Sequence, residues 1–151
     1  MAYWVKLVGA SDFPLPNDPF ISIPSLAELI RFPRDQFPRE LGRGDEMLLY
    51  AVGGYKKVFA AVMLDEDPRR DVPGADAAVL RRWPHAVAVR LGPHVDYVEY
   101  GPDLNEIRQG LQSEIGQGVS HFGISATDYQ NGLRLLARAR DTQERSRRRP
   151  R

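Results

Sequence analysis

The chain contains no cysteine among its 151 residues. Disulfide bonds, thiolate metal sites and cysteine nucleophiles are therefore excluded, and a reducing compartment is favoured. No apolar run approaches the roughly 20 residues that a membrane-spanning helix needs. The opening residues also lack the basic segment that precedes the apolar part of a secretory leader. The sequence thus predicts a soluble cytoplasmic protein with no membrane association.

Signatures of conventional catalysis are also scarce. The three histidines, His85, His94 and His121, do not show metal-ligand spacing such as HExxH, so we expect no metal site and no cofactor. The acidic run at 65–67 precedes a proline and is typical of a solvated turn. No serine lies in a nucleophile elbow, and Gly53-Gly54 lacks the flanking pattern of a phosphate-binding loop. These absences favour a binding protein over an enzyme.

The net charge of +1 conceals an uneven distribution. Residues 142–151 include five arginines and one glutamate and so carry +4, which leaves −3 for the rest of the chain. This tail has nothing apolar to bury, whereas the remainder has an ordinary globular composition. The sequence therefore predicts one folded domain over residues 1–141 and a disordered basic tail over residues 142–151.

The segment from Gly44 to Pro68 predicts a central β-hairpin. Glu46–Val52 and Val58–Leu64 are rich in apolar residues, and Gly53-Gly54 between them supplies the positive φ of a tight turn. Both runs are almost continuously apolar, so both faces should be covered. We expect this hairpin at the middle of a sheet.

The other predicted elements are shorter. Ser25 and Glu28 form a capping box that should start a helix ending near Phe32, before a proline. Asp103 should cap a helix with an apolar stripe that includes Leu104, Ile107, Leu111 and Ile115, and Ser125 should cap the last helix. We expect further strands at 3–8, 85–91 and 95–100, a long loop at 9–24 and a weak helix at 75–82. The predicted fold class is α+β, with a curved, mixed sheet of about five strands and short flanking helices.

Several short motifs resemble the EVE domain, a member of the PUA-like superfamily that is related to the YTH domain. These are Tyr3-Trp4-Val5 at the start, Gly44-Asp45 before a strand that contains Tyr50, Trp83-Pro84 before a strand, and the turn-then-helix form of residues 118–129. The resemblance implies a PUA-like pseudobarrel. Many EVE domains carry Val-Arg-Asn ahead of Gly-Asp, whereas residues 32–38 here read Phe-Pro-Arg-Asp-Gln-Phe-Pro. Ligand contacts in that segment are therefore not carried over.

The resemblance also implies a function. EVE and YTH domains bind a modified nucleobase or nucleotide between aromatic faces, and each stacking contact is worth about 1–3 kcal/mol. The same aromatic residues suit a hydrophobic core, so the sequence leaves open which of them line a pocket. The residues predicted to bind the ligand are Trp4, Lys6, Tyr50, Val52, Tyr55 and Trp83.

Basic residues near these aromatics are candidates for contact with a DNA or RNA backbone: Arg39, Arg43, Lys56, Lys57, Arg81 and Arg82. A solvated surface explains them equally well.

Two other functions stay open. One is an ASCH-like enzyme of the PUA superfamily, a ribonuclease or amide hydrolase, using Lys6 or Lys57 with Tyr50. The other is an interaction module without a nucleotide ligand. Converging lysine and carboxylate groups would favour the enzyme, and an aromatic cleft would favour the base-binding module.

Overall fold

The computed structural model describes residues 2–8, 29–52, 55–74, 76–116 and 119–148, with side chains described up to residue 142. The loop predicted at 9–24, the Ser25–Glu28 capping box and the Gly53-Gly54 turn lie outside these ranges. No helix in the described part of the chain has the length and apolarity needed to cross a membrane.

Six strands of the described residues form one sheet. They are β1 (Tyr3–Val8), β2 (Leu29–Phe32), β3 (Glu46–Ala51), β4 (Lys57–Leu64), β5 (His85–His94) and β6 (His121–Ile124). Their order is β2-β5-β4-β3-β1-β6, and every neighbouring pair is antiparallel except β1 and β3. The predicted curved, mixed sheet is therefore confirmed, with the hairpin strands β3 and β4 in its middle.

Burial explains why the hairpin is central. Five consecutive residues of β3, from Met47 to Ala51, are buried, and so are Val58 to Val62 on β4. Side chains alternate between the two faces of a strand, so both faces of these strands are covered. The nearly continuous apolar sequence of the hairpin predicted this arrangement.

The sheet curls until its two edge strands meet. Phe32 lies on β2 at one edge and His121 lies on β6 at the other, yet their ring centroids are 5.4 Å apart at an interplanar angle of 89°. Phe32 is fully buried at this contact. The sheet is consequently a half-barrel with an inner face, onto which the segment between β2 and β3 also packs.

The two faces of β1 have different partners. Tyr3 lies on the outer face, and its ring centroid is 5.0 Å from that of Tyr129 on the last helix. Gly132 of the same helix approaches Leu48 of β3 so closely that an added Cβ would lie 2.6 Å from Leu48 Cδ1. The outer face is therefore covered by this helix. Trp4 and Lys6 alternate with these residues and point to the inner face.

Three α-helices and two 3₁₀ turns complete the described chain. The helices are α1 (Ala77–Arg82), α2 (Leu104–Ile107) and α3 (Ala126–Arg148), and the turns are Val98–Tyr100 and Leu111–Glu114. The caps predicted at Asp103 and Ser125 form. Ser125 Oγ accepts a hydrogen bond from Asp128 N at 3.0 Å, and the Glu106 carboxylate accepts one from Asp103 N at 2.7 Å.

Several predicted elements were wrong. Leu29–Phe32 is a strand rather than the end of a helix, because it pairs with β5 from Leu29–Ala88 to Phe32–His85. β5 runs through Gly92-Pro93 to His94, and residues 98–100 form a 3₁₀ turn instead of a strand. The strand β6 was missed. For β2, β5 and β6 a pairing that is distant in sequence overrides local propensity.

The helix boundaries also differ from the prediction. α2 ends at Ile107, so Leu111 of the predicted stripe is buried from a 3₁₀ turn instead. The backbone of α3 continues as a helix to Arg148, six residues beyond Thr142, and the division into a domain over 1–141 and a tail over 142–151 stays a prediction. Gln, Glu and Arg are good helix formers, which explains the continuation.

Candidate functional site

The inner face carries a group of polar and aromatic side chains where the edges of the sheet meet. We name this group the inner cluster: Trp4, Lys6, Phe32, Glu40, Ser120 and His121. It combines residues from β1, from β2 and the segment after it, and from the start of β6. Four of the six, namely Lys6, Phe32, Ser120 and the His121 side chain, are more than nine-tenths buried.

Strand pairing brings these side chains together. In the antiparallel pair of β1 and β6, Lys6 is opposite His121 and Trp4 is opposite Gly123. Opposed residues share a face of the sheet. A Cβ added at Gly123 would lie 3.6 Å from the Trp4 ring, which is ordinary van der Waals contact, so the indole packs against this position. The Trp4 ring therefore lies over β6, with its edge toward His121 at a centroid distance of 5.7 Å.

Lys6 is the most unusual member of the cluster. The residue is 4% exposed. Its amine donates a hydrogen bond to the Leu7 carbonyl oxygen at 2.9 Å and lies 4.8 Å from the centroid of the Phe32 ring. Burial disfavours the charged form and lowers the pKa of Lys6 from 10.5 to about 7. At neutral pH this side chain is therefore divided between an ammonium and a free amine.

His121 links a hydroxyl to a carboxylate. Its Nδ1 lies 2.7 Å from Ser120 Oγ, and its Nε2 contacts Glu40 Oε1. A carboxylate only accepts hydrogen bonds, so Nε2 is the donor to Glu40, and Nδ1 of the neutral ring accepts from the Ser120 hydroxyl. The three side chains form a continuous hydrogen-bonded chain from a buried serine to the half-exposed Glu40.

The charges of this chain influence one another. Burial lowers the pKa of His121, Glu40 opposes this effect, and the Lys6 charge adds to it. Burial alone would raise the pKa of Glu40, but a backbone hydrogen bond and the His121 contact lower it overall. Glu40 is thus ionised at neutral pH, while the His121 ring favours its neutral form.

Backbone contacts fix the cluster to the sheet. Gln36 Oε1 accepts a hydrogen bond from Ser120 N at 3.2 Å, and Leu7 N donates to the Ser120 carbonyl at 2.9 Å. The buried Asp45 carboxylate accepts from Trp4 Nε1 at 3.2 Å and also from Gly42 N at 3.1 Å. Asp45 of the Gly-Asp motif therefore orients the indole and holds the segment that carries Glu40.

The predicted ligand residues do not all lie together. Tyr50 pairs with Leu7, so it points to the outer face, away from Lys6 and Trp4. It is 2% exposed, and its hydroxyl donates to Gln112 Oε1 at 3.1 Å. Burial raises the pKa of Tyr50, the Gln112 hydrogen bond lowers it, and the charges of Asp103 and Lys57 have smaller, opposite effects. Tyr50 is a core residue with a satisfied hydroxyl.

The other predicted ligand residues flank the sheet. Trp83 directly follows α1 and is half-buried, and the Arg82 guanidinium lies 5.6 Å from the centroid of its ring. Val52 follows β3 and Tyr55 precedes β4, both half-buried at the turn end of the hairpin. Of the six predicted ligand residues, the structure places Trp4 and Lys6 in the inner cluster.

The predicted backbone-contacting residues fall into three places. Arg39 and Arg43 are exposed on the same segment as Glu40. Lys56 precedes β4 and is exposed, and Lys57 begins β4, with its amine paired with Asp103 at 2.8 Å. Arg81 and Arg82 are exposed at the end of α1. Arg39 and Arg43 are thus the pair nearest to the inner cluster along the chain.

Four members of the inner cluster were not predicted as site residues: Phe32, Glu40, Ser120 and His121. Phe32 was predicted only as the end of a helix, and His121 was considered only as a histidine without metal-ligand spacing. One usable signal was the stretch His121–Ile124 directly before a helix cap, which suits a short strand. No described group of three or more His, Asp or Glu side chains is arranged to hold a metal ion.

Comparison with known proteins identifies the fold. No protein-family model matches the chain, and no curated protein matches it. Among solved structures, a hypothetical protein from Leishmania major is 18% identical with a TM-score of 0.56, over 91% of this chain and 96% of that one. The YTH domain of the Zygosaccharomyces rouxii MRB1 protein, solved with N6-methyladenosine RNA, is 13% identical with a TM-score of 0.53, over 89% and 86%.

A mutant ASCH protein from Zymomonas mobilis has a TM-score of 0.56 at 12% identity, over 89% of this chain and 99% of that one. At such identities the likeness concerns the fold alone. It confirms the PUA-like half-barrel that the resemblance implied, because YTH and ASCH domains share that architecture.

Proposed function

We propose that this protein is an EVE-like nucleic-acid-binding module that recognises a modified nucleobase at the inner cluster. The observation that carries the proposal is the position of Trp4. Its half-buried indole is oriented by Asp45 and lies edge-on to His121, on the face that also holds the buried Lys6 amine. An aromatic surface beside a fixed polar donor is what recognition of a planar base requires.

The surroundings suit such a ligand. The fully buried Phe32 ring supports the Lys6 amine from the core side, and the Lys6 amine and the Ser120 and His121 side chains supply polar groups. Arg39 and Arg43, on the segment that carries Glu40, are candidates to contact phosphates. The YTH neighbour was solved with a methylated RNA, which supports a nucleic-acid ligand for the fold in general.

Calorimetric titration of modified nucleosides, and of short DNA and RNA oligonucleotides that carry them, tests the proposal. The Trp4→Leu variant keeps apolar bulk but loses the aromatic face. We expect it to weaken base binding by roughly 1–3 kcal/mol, or about 5- to 150-fold, with a smaller effect on stability.

Trp83→Leu is the matched control, since it removes an equally half-buried indole next to α1. It should leave base affinity within about twofold, whereas Tyr50→Leu should behave as a core substitution and lower stability by a few kcal/mol. Equal losses of affinity at Trp4 and Trp83, or no binding of any nucleoside or oligonucleotide at millimolar concentration, would contradict the proposed site.

An ASCH-like ribonuclease or amide hydrolase is the second candidate, and one observation favours it. The Ser120–His121–Glu40 chain and the Lys6 amine are converging groups of the kind that acid–base catalysis uses. Lys57 with Tyr50 is less suited, because the Lys57 amine is paired with Asp103. Incubation with oligoribonucleotides and with N-acylated nucleosides distinguishes the two functions. Turnover that is lost in Ser120→Ala would establish the enzyme, and binding without turnover would support the base-binding module.

A further inference from the structure

Lysine is rare in this chain. There are three lysines and eighteen arginines, and one of the three lysines is the cation buried in the inner cluster. A guanidinium remains charged at any physiological pH, whereas a lysine amine can lose its proton and act as a nucleophile. The buried position therefore carries the type of cation that can react covalently.

The contacts of Lys6 favour a free amine. Among the described residues, its Nζ makes one hydrogen bond, to the Leu7 carbonyl, and it lies over the Phe32 ring. In the part of the chain that the structure describes, Lys6 forms no salt bridge. The neighbouring carboxylates are engaged elsewhere, Glu40 with His121 and Asp45 with Trp4. Among the described residues no carboxylate is paired with the Lys6 amine, and up to two N–H directions of this buried group are left for a ligand.

We propose that Lys6 forms a reversible imine with ligands that carry an aldehyde on a planar ring. This inference rests on the proposed function, since the ring would occupy the same site as the base. The nitrogen lone pair attacks the carbonyl carbon, and the nitrogen proton moves to the carbonyl oxygen to give a carbinolamine. The hydroxyl then leaves as water as the C=N bond forms. No oxidant or reductant is needed, and hydrolysis reverses the step.

The rest of the cluster suits this chemistry. His121 lies directly opposite Lys6 in the strand pairing, so it is the group placed to exchange the proton that the departing hydroxyl requires. Glu40 contacts His121, and the Glu40 side chain is 47% exposed. Glu40 therefore connects the buried imidazole to solvent. The Phe32 face, 4.8 Å from Nζ, stabilises a protonated imine as it does the ammonium. Lys6 would be the nucleophile, and His121 a group that moves the proton.

Reductive trapping tests the proposal on the full chain. The protein is incubated at pH 7 with propionaldehyde or with 5-formyluridine in the presence of cyanoborohydride, and the modified lysines are mapped by peptide mass spectrometry. Lys56 and Lys57 are internal controls in the same molecule. We expect labelling of Lys6 at least tenfold above either control, and loss of that product in Lys6→Met. His121→Gln should slow the trapping without shifting it to another lysine.

The two aldehydes separate this proposal from the proposed function. If both aldehydes label Lys6, if 5-formyluridine is favoured, and if unmodified base ligands compete with it, the result supports both the imine and the base site. Trapping by propionaldehyde without any preference for 5-formyluridine supports the reactive amine and counts against the base site. Base binding seen by calorimetry, with labelling confined to Lys56 and Lys57, overturns the imine and leaves the base site in place. Labelling of Lys6 no faster than that of Lys56 also overturns it.

Discussion

Replacing Lys6 by methionine should make the protein more stable, and by an amount that depends on pH. Burial lowers the pKa of Lys6 from 10.5 to about 7 in the folded protein, whereas the unfolded chain has a solvated lysine. Between these two values the unfolded state binds a proton that the folded state does not. Stability therefore rises with pH by up to about 1.4 kcal/mol per pH unit in this window. The destabilisation is complete below pH 7 and is lost above the unfolded pKa.

The difference between the two pKa values corresponds to a destabilisation of the folded state by roughly 5 kcal/mol in acid. About 4 kcal/mol of this destabilisation remains at pH 7. Methionine has similar length and no charge to desolvate. It gives up the hydrogen bond to Leu7, which contributes about 1 kcal/mol. The free energy of unfolding of the Lys6→Met protein should therefore exceed that of the natural protein by roughly 3 kcal/mol at pH 7. This difference should vanish or reverse above pH 10.

Urea unfolding of both proteins at each pH from 6 to 10 provides the measurement, because groups that titrate equally in both cancel in the difference. His121 is the exception, since loss of the Lys6 charge removes one cause of its lowered pKa. Lys56→Met, at an exposed position, should change the unfolding free energy by less than about 0.5 kcal/mol. A pH-independent difference between the Lys6→Met and natural proteins, or a Lys6→Met protein that is less stable at pH 6, would refute the reasoning.

Three further predictions concern a tightly packed glycine, the cap of α3 and the terminal segment. Gly101→Ala should lower the unfolding free energy by more than about 2 kcal/mol, because the new Cβ would lie 1.7 Å from the Val58 carbonyl oxygen. Gly42→Ala, with its nearest neighbour at 3.7 Å, is the control and should cost far less in the same urea titration. Ser125→Ala should cost about 1 kcal/mol through loss of the α3 cap. Deletion of 143–151 should leave the melting temperature almost unchanged and flatten the salt dependence of nucleic-acid binding, and a large fall in melting temperature would show that this segment is docked.

The central hairpin could be predicted because its determinants are local. Two apolar runs with both faces covered, joined at glycines, specify strands wherever the rest of the chain packs. The alternation of β1 likewise placed Trp4 and Lys6 on one face. The sequence could not show what that face meets. The contact of Phe32 with His121 joins the two strands at opposite edges of the sheet, and Leu29–Phe32 was assigned to a helix because its pairing with β5 is nonlocal.

The candidate site could be predicted only in part, because nonlocal strand pairing decides which side chains meet there. The resemblance pointed to Trp4 but also to Tyr50 and Trp83, and sequence does not distinguish an aromatic that lines a site from one that fills the core. The register between β1 and β3 settles the position of Tyr50: it pairs with Leu7 and so faces away from Lys6. His121 carried no motif. It joins the inner cluster because β6 places it opposite Lys6.

The inner cluster also determines which variants are informative. Phe32 and His121 close the sheet as well as surround the Lys6 amine, so their substitution would alter stability and ligand binding together. Trp4 and Lys6 allow the two effects to be separated. Trp4 is half-buried, so its loss should weaken binding more than folding. Loss of the Lys6 amine should strengthen folding while it removes the reactive group. A buried lysine that costs stability and has no carboxylate partner among the described residues is the group that the proposed ligand would meet.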